Sequence, residues 1–235
     1  MTQPPSMGNQ AASIRRKRET RGSQHAASAE ELNRLLLKTS LRRGKKARRG
    51  WPYEDGATDF DKICEGVFLG CQAFAKNCEE LKKQEITHVL NCAEGKGFMH
   101  CDTSESTYSG TGIQYKGIRA NDTEFYDLSQ HFDDCSQYID EVVKGNGNVL
   151  VHCVQGFSRS PAIVAAYLML KKDYTAREAL KLIRQNRFVH PNEGFLHLLA
   201  RLDETLLEQR QAQAQEANND ADADAVARHA QNDAS

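Results

Sequence analysis

The chain has 235 residues, 39% of them hydrophobic, which suits one domain with tails or two small domains and leaves part of the chain unpacked. Its formal charge of −1 hides a segregation, because residues 1–50 carry 13 Lys+Arg against 3 Asp+Glu, a net +10 that leaves −11 on the remainder. Seven cysteines at irregular spacing with no Cys-x-x-Cys pair argue for free thiols, and the longest apolar run, Ala162 to Leu170, is too short for a helical membrane span.

The first thirty residues contain no apolar stretch of a secretory signal, so a soluble protein of a reducing compartment, cytoplasmic or nuclear, is expected. Residues 1–27, rich in Gln, Ser, Ala, Gly and charge and including Arg15-Arg16-Lys17-Arg18, read as a disordered basic arm. Ser28-Ala29-Glu30-Glu31 has the capping-box spacing, and Leu32, Leu35 and Leu36 then share one face, which predicts a short amphipathic helix over 29–38. A dense basic linker from Leu41 to Gly50 completes the segment 28–50. The two basic clusters suit nuclear import, acidic lipid, an acidic partner or simple solvation. Nucleic-acid binding as the main function is disfavoured, because no aromatic residues interleave with the charge.

The folded body is expected over 51–210. Val67-Phe68-Leu69 reads as a strand, and Cys71 to Lys83 as an amphipathic helix using Phe74, Cys78 and Leu81. Strands are predicted over 86–92 and 113–118, and a helix over 127–144 through Phe132, Cys135, Tyr138, Ile139 and Val142. Val149-Leu150-Val151 reads as a short buried strand, and Ala162 to Leu170 as a buried helix with Pro161 in its first turn. Thr175-Ala176-Arg177-Glu178 is a second capping box, opening a helix through Arg184. Asn192 is placed to cap a last helix through Phe195, Leu198, Leu199, Leu202 and Leu206, and residues 211–235 lack periodicity and read as a disordered tail. Strands alternating with helices predict an α/β fold, a mostly parallel central sheet flanked by helices on both faces. Ligands in such sheets sit beyond the carboxyl ends of the strands, where Cys153 falls.

The chemistry concentrates in His152-Cys153-Val154-Gln155-Gly156-Phe157-Ser158-Arg159-Ser160, between the apolar strand and the buried helix. A loop entering a helix N-terminus aims backbone N–H groups and the helix dipole at one point, an anion site. Gly156 admits a conformation that a side chain would obstruct, and Arg159 can hold two phosphate oxygens in its planar fork. A thiol there ionises readily, so Cys153 is the candidate nucleophile, and Ser160 can hydrogen-bond its sulfur. His152 is read as bracing the loop, with no metal ligated. A plain strand-end cysteine in an ordinary turn leaves the coincidence of Cys, Gly, Arg and Ser unexplained.

The run His-Cys-x-x-Gly-x-x-Arg-Ser resembles the signature of cysteine-dependent protein phosphatases, and Ala166-Tyr167-Leu168-Met169 behind it is similar to the dual-specificity branch. That resemblance implies a phosphocysteine intermediate and no metal or cofactor. Expelling the substrate oxygen needs a proton donor, and Asp122, Glu124 and Asp127 lie between the third strand and the next helix. Asp127 is better explained as an N-cap. The run Ala120-Asn121-Asp122 resembles the general-acid loop of VHR-like atypical dual-specificity phosphatases, which implies that Asp122 protonates the leaving oxygen and then activates the attacking water.

The likeness extends from Trp51 to Gln209. Asn91-Cys92-Ala93-Glu94-Gly95 with Phe98-Met99-His100 matches the family's strand end and the apolar wall of its pocket, so Phe98 and Met99 join His152, Val154, Gln155, Gly156, Phe157 and Ser158 as substrate-binding candidates. Arg184-Gln185-Asn186-Arg187 and Pro191-Asn192-x-Gly194-Phe195-Leu196 match its late helical region, and by that likeness Arg187 meets a second substrate phosphate, unless it is a solvated helix-end arginine. Gln155 and Phe157 stand where relatives often carry Glu and Tyr. Few apolar walls and no long recognition loop imply a shallow site admitting phosphotyrosine, phosphoserine and phosphothreonine.

The substrates implied are phosphorylated proteins, with mitogen-activated protein kinases suggested by the resemblance alone. RNA 5′-phosphatase and phosphoinositide phosphatase share the chemistry, although no lysine lies within residues 153–159 to embrace an inositol headgroup. A non-catalytic phosphoprotein-binding scaffold is disfavoured by the joint presence of Cys153, Arg159, Ser160 and Asp122. Cys92 ends its strand on the same sheet edge as Cys153, either as a resolving thiol or as a small buried hydrophobe.

Overall fold

The computed structural model describes residues 25–39 and 60–232. The greater part of the expected basic arm, the basic linker and the expected start of the body at Trp51 lie outside the described residues.

The centre of the molecule is β5 (Val149–His152), whose four residues are all buried. Its neighbours are β2 (Val67–Gly70) on one side and β3 (His88–Asn91) on the other, both parallel to it. Beyond them lie β1 (Phe60–Cys64), antiparallel to β2, and β4 (Gln114–Gly117), parallel to β3, giving the order β1-β2-β5-β3-β4. Side chains alternate across the sheet. Val149 and Val151 join Val67, Leu69 and Leu90 in the larger core, while Leu150 joins Phe68 and Val89 in the smaller one. The smaller core is closed by two short helices, α2 (Gln72–Ala75) and α3 (Cys78–Lys83), through Phe74 and Leu81.

The larger core takes α4 (Phe132–Lys144), α5 (Arg159–Lys172), α6 (Ala176–Asn186) and the first turns of α7 (Glu193–Asn232). Every residue of α5 from Arg159 to Met169 is buried, as suits a helix apolar around its whole circumference. The N-terminal helix α1 (Ala29–Lys38) packs on the same core with Leu32 and Leu36 fully covered, each worth roughly 1.5–3 kcal/mol. Its capping box forms as expected from Ser28 and Glu31. Buried Asp203 ties the entry to the body, accepting from Ala27 N at 3.1 Å and from Ala176 N at 2.9 Å, so the end of the expected arm is already docked.

Several element expectations need correction. Strand β1 went unread because only Ile63 of its five residues is buried, which leaves little apolar signal in an edge strand. The single helix expected over 71–83 is two, because Asn77 Oδ1 accepts from Glu80 N at 3.1 Å and starts a new one. A 3-10 turn, Leu128–His131, precedes α4, with Asp127 as its N-cap. The tail over 211–235, expected to be disordered, continues α7 to Asn232. Gln, Ala and Glu favour helix without tertiary contact, and the side chains of 211–216 are exposed. The end of apolar periodicity marks the end of the core, not the end of the helix.

Candidate active site

The loop between β5 and α5 starts at the carboxyl edge of the central strand. Cys153 is 1% exposed there. Its Sγ accepts from Gly156 N at 3.2 Å and from Ser160 Oγ at 3.4 Å. Burial pushes this thiol up, but the Arg159 guanidinium and the Ser160 hydroxyl and backbone N–H outweigh that, and the net displacement is below the ordinary thiol value. Gly156 has φ +66°, and a Cβ there would collide with the Gly70 carbonyl and lie 2.9 Å from Arg187 Nη2, so only glycine lets the loop turn this tightly. The N-terminus of α5 carries no side-chain cap, which leaves its first N–H groups to an anion.

Arg159 is 1% exposed and held from two sides, Nη1 donating to Met99 O at 2.8 Å and to Ala120 O at 3.0 Å. Its Nε is buried without a hydrogen bond, although Asp122 Oδ2 lies 3.3 Å away as an ion-pair partner. A buried, unsatisfied guanidinium N–H beside an uncapped helix end suits a phosphate oxygen. Met99 adopts a left-handed conformation, φ +61°, a strain of order 1–3 kcal/mol, in the segment that turns its carbonyl to Arg159.

Asp122 is the one expected acid brought to the loop. Its Oδ1 accepts from Ser158 Oγ at 2.7 Å and from Asn192 Nδ2 at 2.9 Å. Asn192 Oδ1 meanwhile accepts from Phe195 N at 3.0 Å, and Asn192 N donates to Ser158 Oγ at 3.2 Å. The start of α7 is thereby bolted to both the acid loop and the cysteine loop. The capping half of Asn192 was readable from the sequence. Its contact with Asp122 was not, since 70 residues separate the two.

Of the expected substrate-binding residues, Arg187 and Val154 are reassigned, and His152 takes the bracing place read for it. His152 is fully buried behind the loop, its Nδ1 donating to Cys153 O at 3.1 Å, and burial depresses its pKa to about 4 against the opposing effect of that bond. It braces the loop from behind. Arg187 is 5% exposed, donating from Nε to Gly156 O at 2.9 Å and from Nη2 to Gln155 O at 3.0 Å, with Nη1 3.2 Å from Asp61 Oδ2. It holds the loop's carbonyls and is not turned toward a second phosphate. Val154 is buried in the larger core and accepts from Gln72 N at 3.0 Å, so its contribution is the backbone. Gln155 and Phe157 are half-buried at the loop's rim, and Phe98 stands 93% exposed beside Met99. Phe157 rests on Phe188, centroids 5.8 Å apart, and its carbonyl accepts from His190 N at 2.9 Å. Among the described residues, no group of three or more His, Cys, Asp or Glu could hold a metal, and no helix is long and apolar enough to cross a membrane.

The family model of the dual specificity phosphatase catalytic domain matches residues 67–205, from β2 into α7. The rat protein Dual specificity protein phosphatase 26 is 39% identical over 147 residues, 62% of this chain and 68% of that one.

The chain belongs to the dual specificity phosphatases.

Solved structures agree with the architecture of this phosphatase. DUSP15 is 28% identical, covering 66% of this chain and 97% of that one at a TM-score of 0.54. Human DUSP28 shares the fold at 24% identity, with 63% and 94% covered and a TM-score of 0.54. The chain is a protein phosphatase of the family that works through a phosphocysteine intermediate, and its substrates are phosphorylated proteins.

Proposed function

We propose that Cys153 is the nucleophile of this phosphatase, Asp122 its general acid and base, and Arg159 with the loop amides its phosphate clamp. The Cys153 thiolate attacks phosphorus as the ester P–O bond breaks, and Asp122 delivers its proton to the departing tyrosine, serine or threonine oxygen. Asp122, now a carboxylate, takes a proton from water as that water attacks phosphocysteine. The P–S bond breaks, inorganic phosphate leaves, and the hydrogen bond from Ser160 stabilises the returning thiolate. The observation that carries this reading is the buried Arg159 Nε without a hydrogen bond, set between Asp122 and the loop that holds Cys153. Phe98, Met99 and Phe157 are proposed to form shallow walls that admit phosphotyrosine, phosphoserine and phosphothreonine alike.

Activation segments of mitogen-activated protein kinases, carrying both phosphothreonine and phosphotyrosine, are the protein substrates we propose. Seven free cysteines support a reducing compartment, cytoplasm or nucleus. The test compares turnover of a phosphotyrosine peptide, a phosphothreonine peptide, a doubly phosphorylated peptide, an RNA 5′-triphosphate and a phosphoinositide. Both singly phosphorylated peptides should be hydrolysed. Cys153→Ser should abolish turnover while still binding phosphopeptide, and Arg159→Lys should fail nearly as badly because the planar fork is lost. Turnover confined to RNA or phosphoinositide overturns the protein-phosphatase reading, and residual activity in Cys153→Ser overturns the nucleophile.

A further inference from the structure

Every carbonyl from Cys153 to Phe157 is held from outside the catalytic loop. Cys153 O accepts from His152 Nδ1 at 3.1 Å, and Val154 O from Gln72 N at 3.0 Å. Gln155 O and Gly156 O accept from Arg187 Nη2 at 3.0 Å and Nε at 2.9 Å, and Phe157 O accepts from His190 N at 2.9 Å. Among the described residues no peptide bond is cis, so each carbonyl and the N–H of the following residue point in opposite directions. The unit joining Gln155 to Gly156 displays the consequence. With its carbonyl on Arg187, its N–H donates to Cys153 Sγ at 3.2 Å. By the same geometry the Gly156 carbonyl, on Arg187 Nε, sends the Phe157 N–H to the inner side of the loop. The N–H groups of Gln155, Phe157 and Ser158 have no acceptor among the described residues, as suits donors that an anion completes.

One side chain thus governs two of these peptide planes. Arg187 fits because residue 156 is glycine, where a Cβ would lie 2.9 Å from Nη2. Its Nη1 lies 3.2 Å from Asp61 Oδ2, so a carboxylate on the edge strand β1 fixes the guanidinium from the far side. A planar fork can serve two successive carbonyls and a carboxylate at once, whereas an ammonium is a single point. We infer that Arg187 is a positioning residue for the transferred phosphate, aiming the amides of Gly156 and Phe157 into the site from behind the loop. This role rests on the proposed chemistry at Cys153. Phosphate affinity and thiolate formation then depend on Arg187 together, because the Gly156 N–H serves the sulfur and the Phe157 N–H serves a phosphoryl oxygen.

The experiment follows alkylation of Cys153 by iodoacetamide, read by peptide mapping against pH and against added inorganic phosphate, in wild type, Arg187→Lys and Arg187→Gln. Phosphate should protect wild type. Its dissociation constant should rise roughly tenfold in Arg187→Lys and up to roughly 100-fold in Arg187→Gln, the worth of a hydrogen bond to a charged group. The midpoint pH of alkylation should rise in the same order. A shift in Arg187→Lys cannot come from lost charge, and this variant carries the test should Arg187→Gln not fold. Both quantities belong to the folded molecules alone, so a variant that is merely less stable leaves them unmoved. Turnover of singly and doubly phosphorylated peptides should fall by the same factor. Wild-type phosphate affinity and midpoint in Arg187→Lys overturn the positioning role. So does a loss confined to the doubly phosphorylated peptide, which would make Arg187 a contact for a second substrate phosphate. Failure of phosphate to protect wild type strikes the reading of the loop as a phosphate site instead. Arg187 is then judged by the alkylation midpoint, where equal values in wild type and Arg187→Lys overturn its role.

Discussion

The side chain of Asn192 serves two masters at once, its Nδ2 donating to Asp122 Oδ1 at 2.9 Å while its Oδ1 caps the last helix. The carboxyl group proposed as proton donor is thereby oriented by the start of α7, far away in sequence.

Asp122→Asn should slow hydrolysis of tyrosyl or alkyl phosphates by about 10²–10⁴-fold, the usual worth of general acid catalysis, and slow a substrate with a good leaving group much less. Asn192→Ala should show the same leaving-group pattern at smaller size, in kcat with KM nearly unchanged. A merely structural Asn192 would depress both substrates alike. A larger effect from Asp127→Asn than from Asp122→Asn would assign the acid role to the wrong residue.

The ionisation of Cys153 offers two perturbations of opposite sign. The Ser160 hydroxyl stabilises the thiolate, so Ser160→Ala should move the acid limb of kcat/KM to higher pH. The negative charge of Asp122 pushes the thiol up, so in the resting enzyme Asp122→Asn should lower the pH at which the thiolate appears. Rates of alkylation by iodoacetate against pH read the same shifts without turnover, and shifts of equal sign in the two variants would refute this electrostatic account.

His152 predicts a pH dependence of stability. Its pKa is about 4 in the fold against 6.5 for the free side chain, because burial disfavours the imidazolium. The unfolded chain therefore binds the extra proton first as pH falls. The contribution is fully present above pH 6.5 and is lost progressively toward pH 4, by an amount on the order of 3 kcal/mol. Urea unfolding across that window should show the slope in wild type, and His152→Gln should flatten it. An unchanged slope in the variant would transfer the effect to other groups.

Cys92 and Cys153 follow paired positions of adjacent parallel strands, Asn91 facing His152, with Cys92 N donating to His152 O at 2.7 Å. Neighbouring strands run roughly 4.8 Å apart, inside the Cα range that a disulfide spans. Mild peroxide should convert the Cys153 thiolate to sulfenic acid, and the Cys92 thiol should condense with it, releasing water and forming a disulfide that thioredoxin reverses. Burial holds Cys92 protonated, so condensation should lag oxidation. Peptide mapping should find Cys92 linked to Cys153. A link from Cys101 instead, or equal recovery of wild type and Cys92→Ser, would remove Cys92 from this role.

The sequence alone carried the strand β5, the buried helix α5 and the anion loop between them, because each rests on short-range chemistry. Apolar runs, Pro161 in a first turn, Gly156 at a tight bend and a cysteine before a helix are legible in consecutive residues. The capping boxes at Ser28 and Thr175 were legible for the same reason, their partners lying three residues on. The N-cap task of Asp127 was legible in the same way, whereas Asp122 was singled out by the resemblance of Ala120-Asn121-Asp122 to the family's acid loop. What only the tertiary structure decided were contacts between residues far apart in the chain. Asn192 reaches Asp122 across 70 residues, Arg159 is held by carbonyls 60 and 39 residues earlier, and Arg187 turns inward to carbonyls 31 and 32 residues away. Spacing says nothing about which way a guanidinium points, and a helix-end arginine is compatible with solvent, substrate or backbone until packing selects one. The continuation of α7 past Arg210 escaped for the opposite reason. Apolar periodicity reports burial, and a helix held by propensity in solvent has none to report.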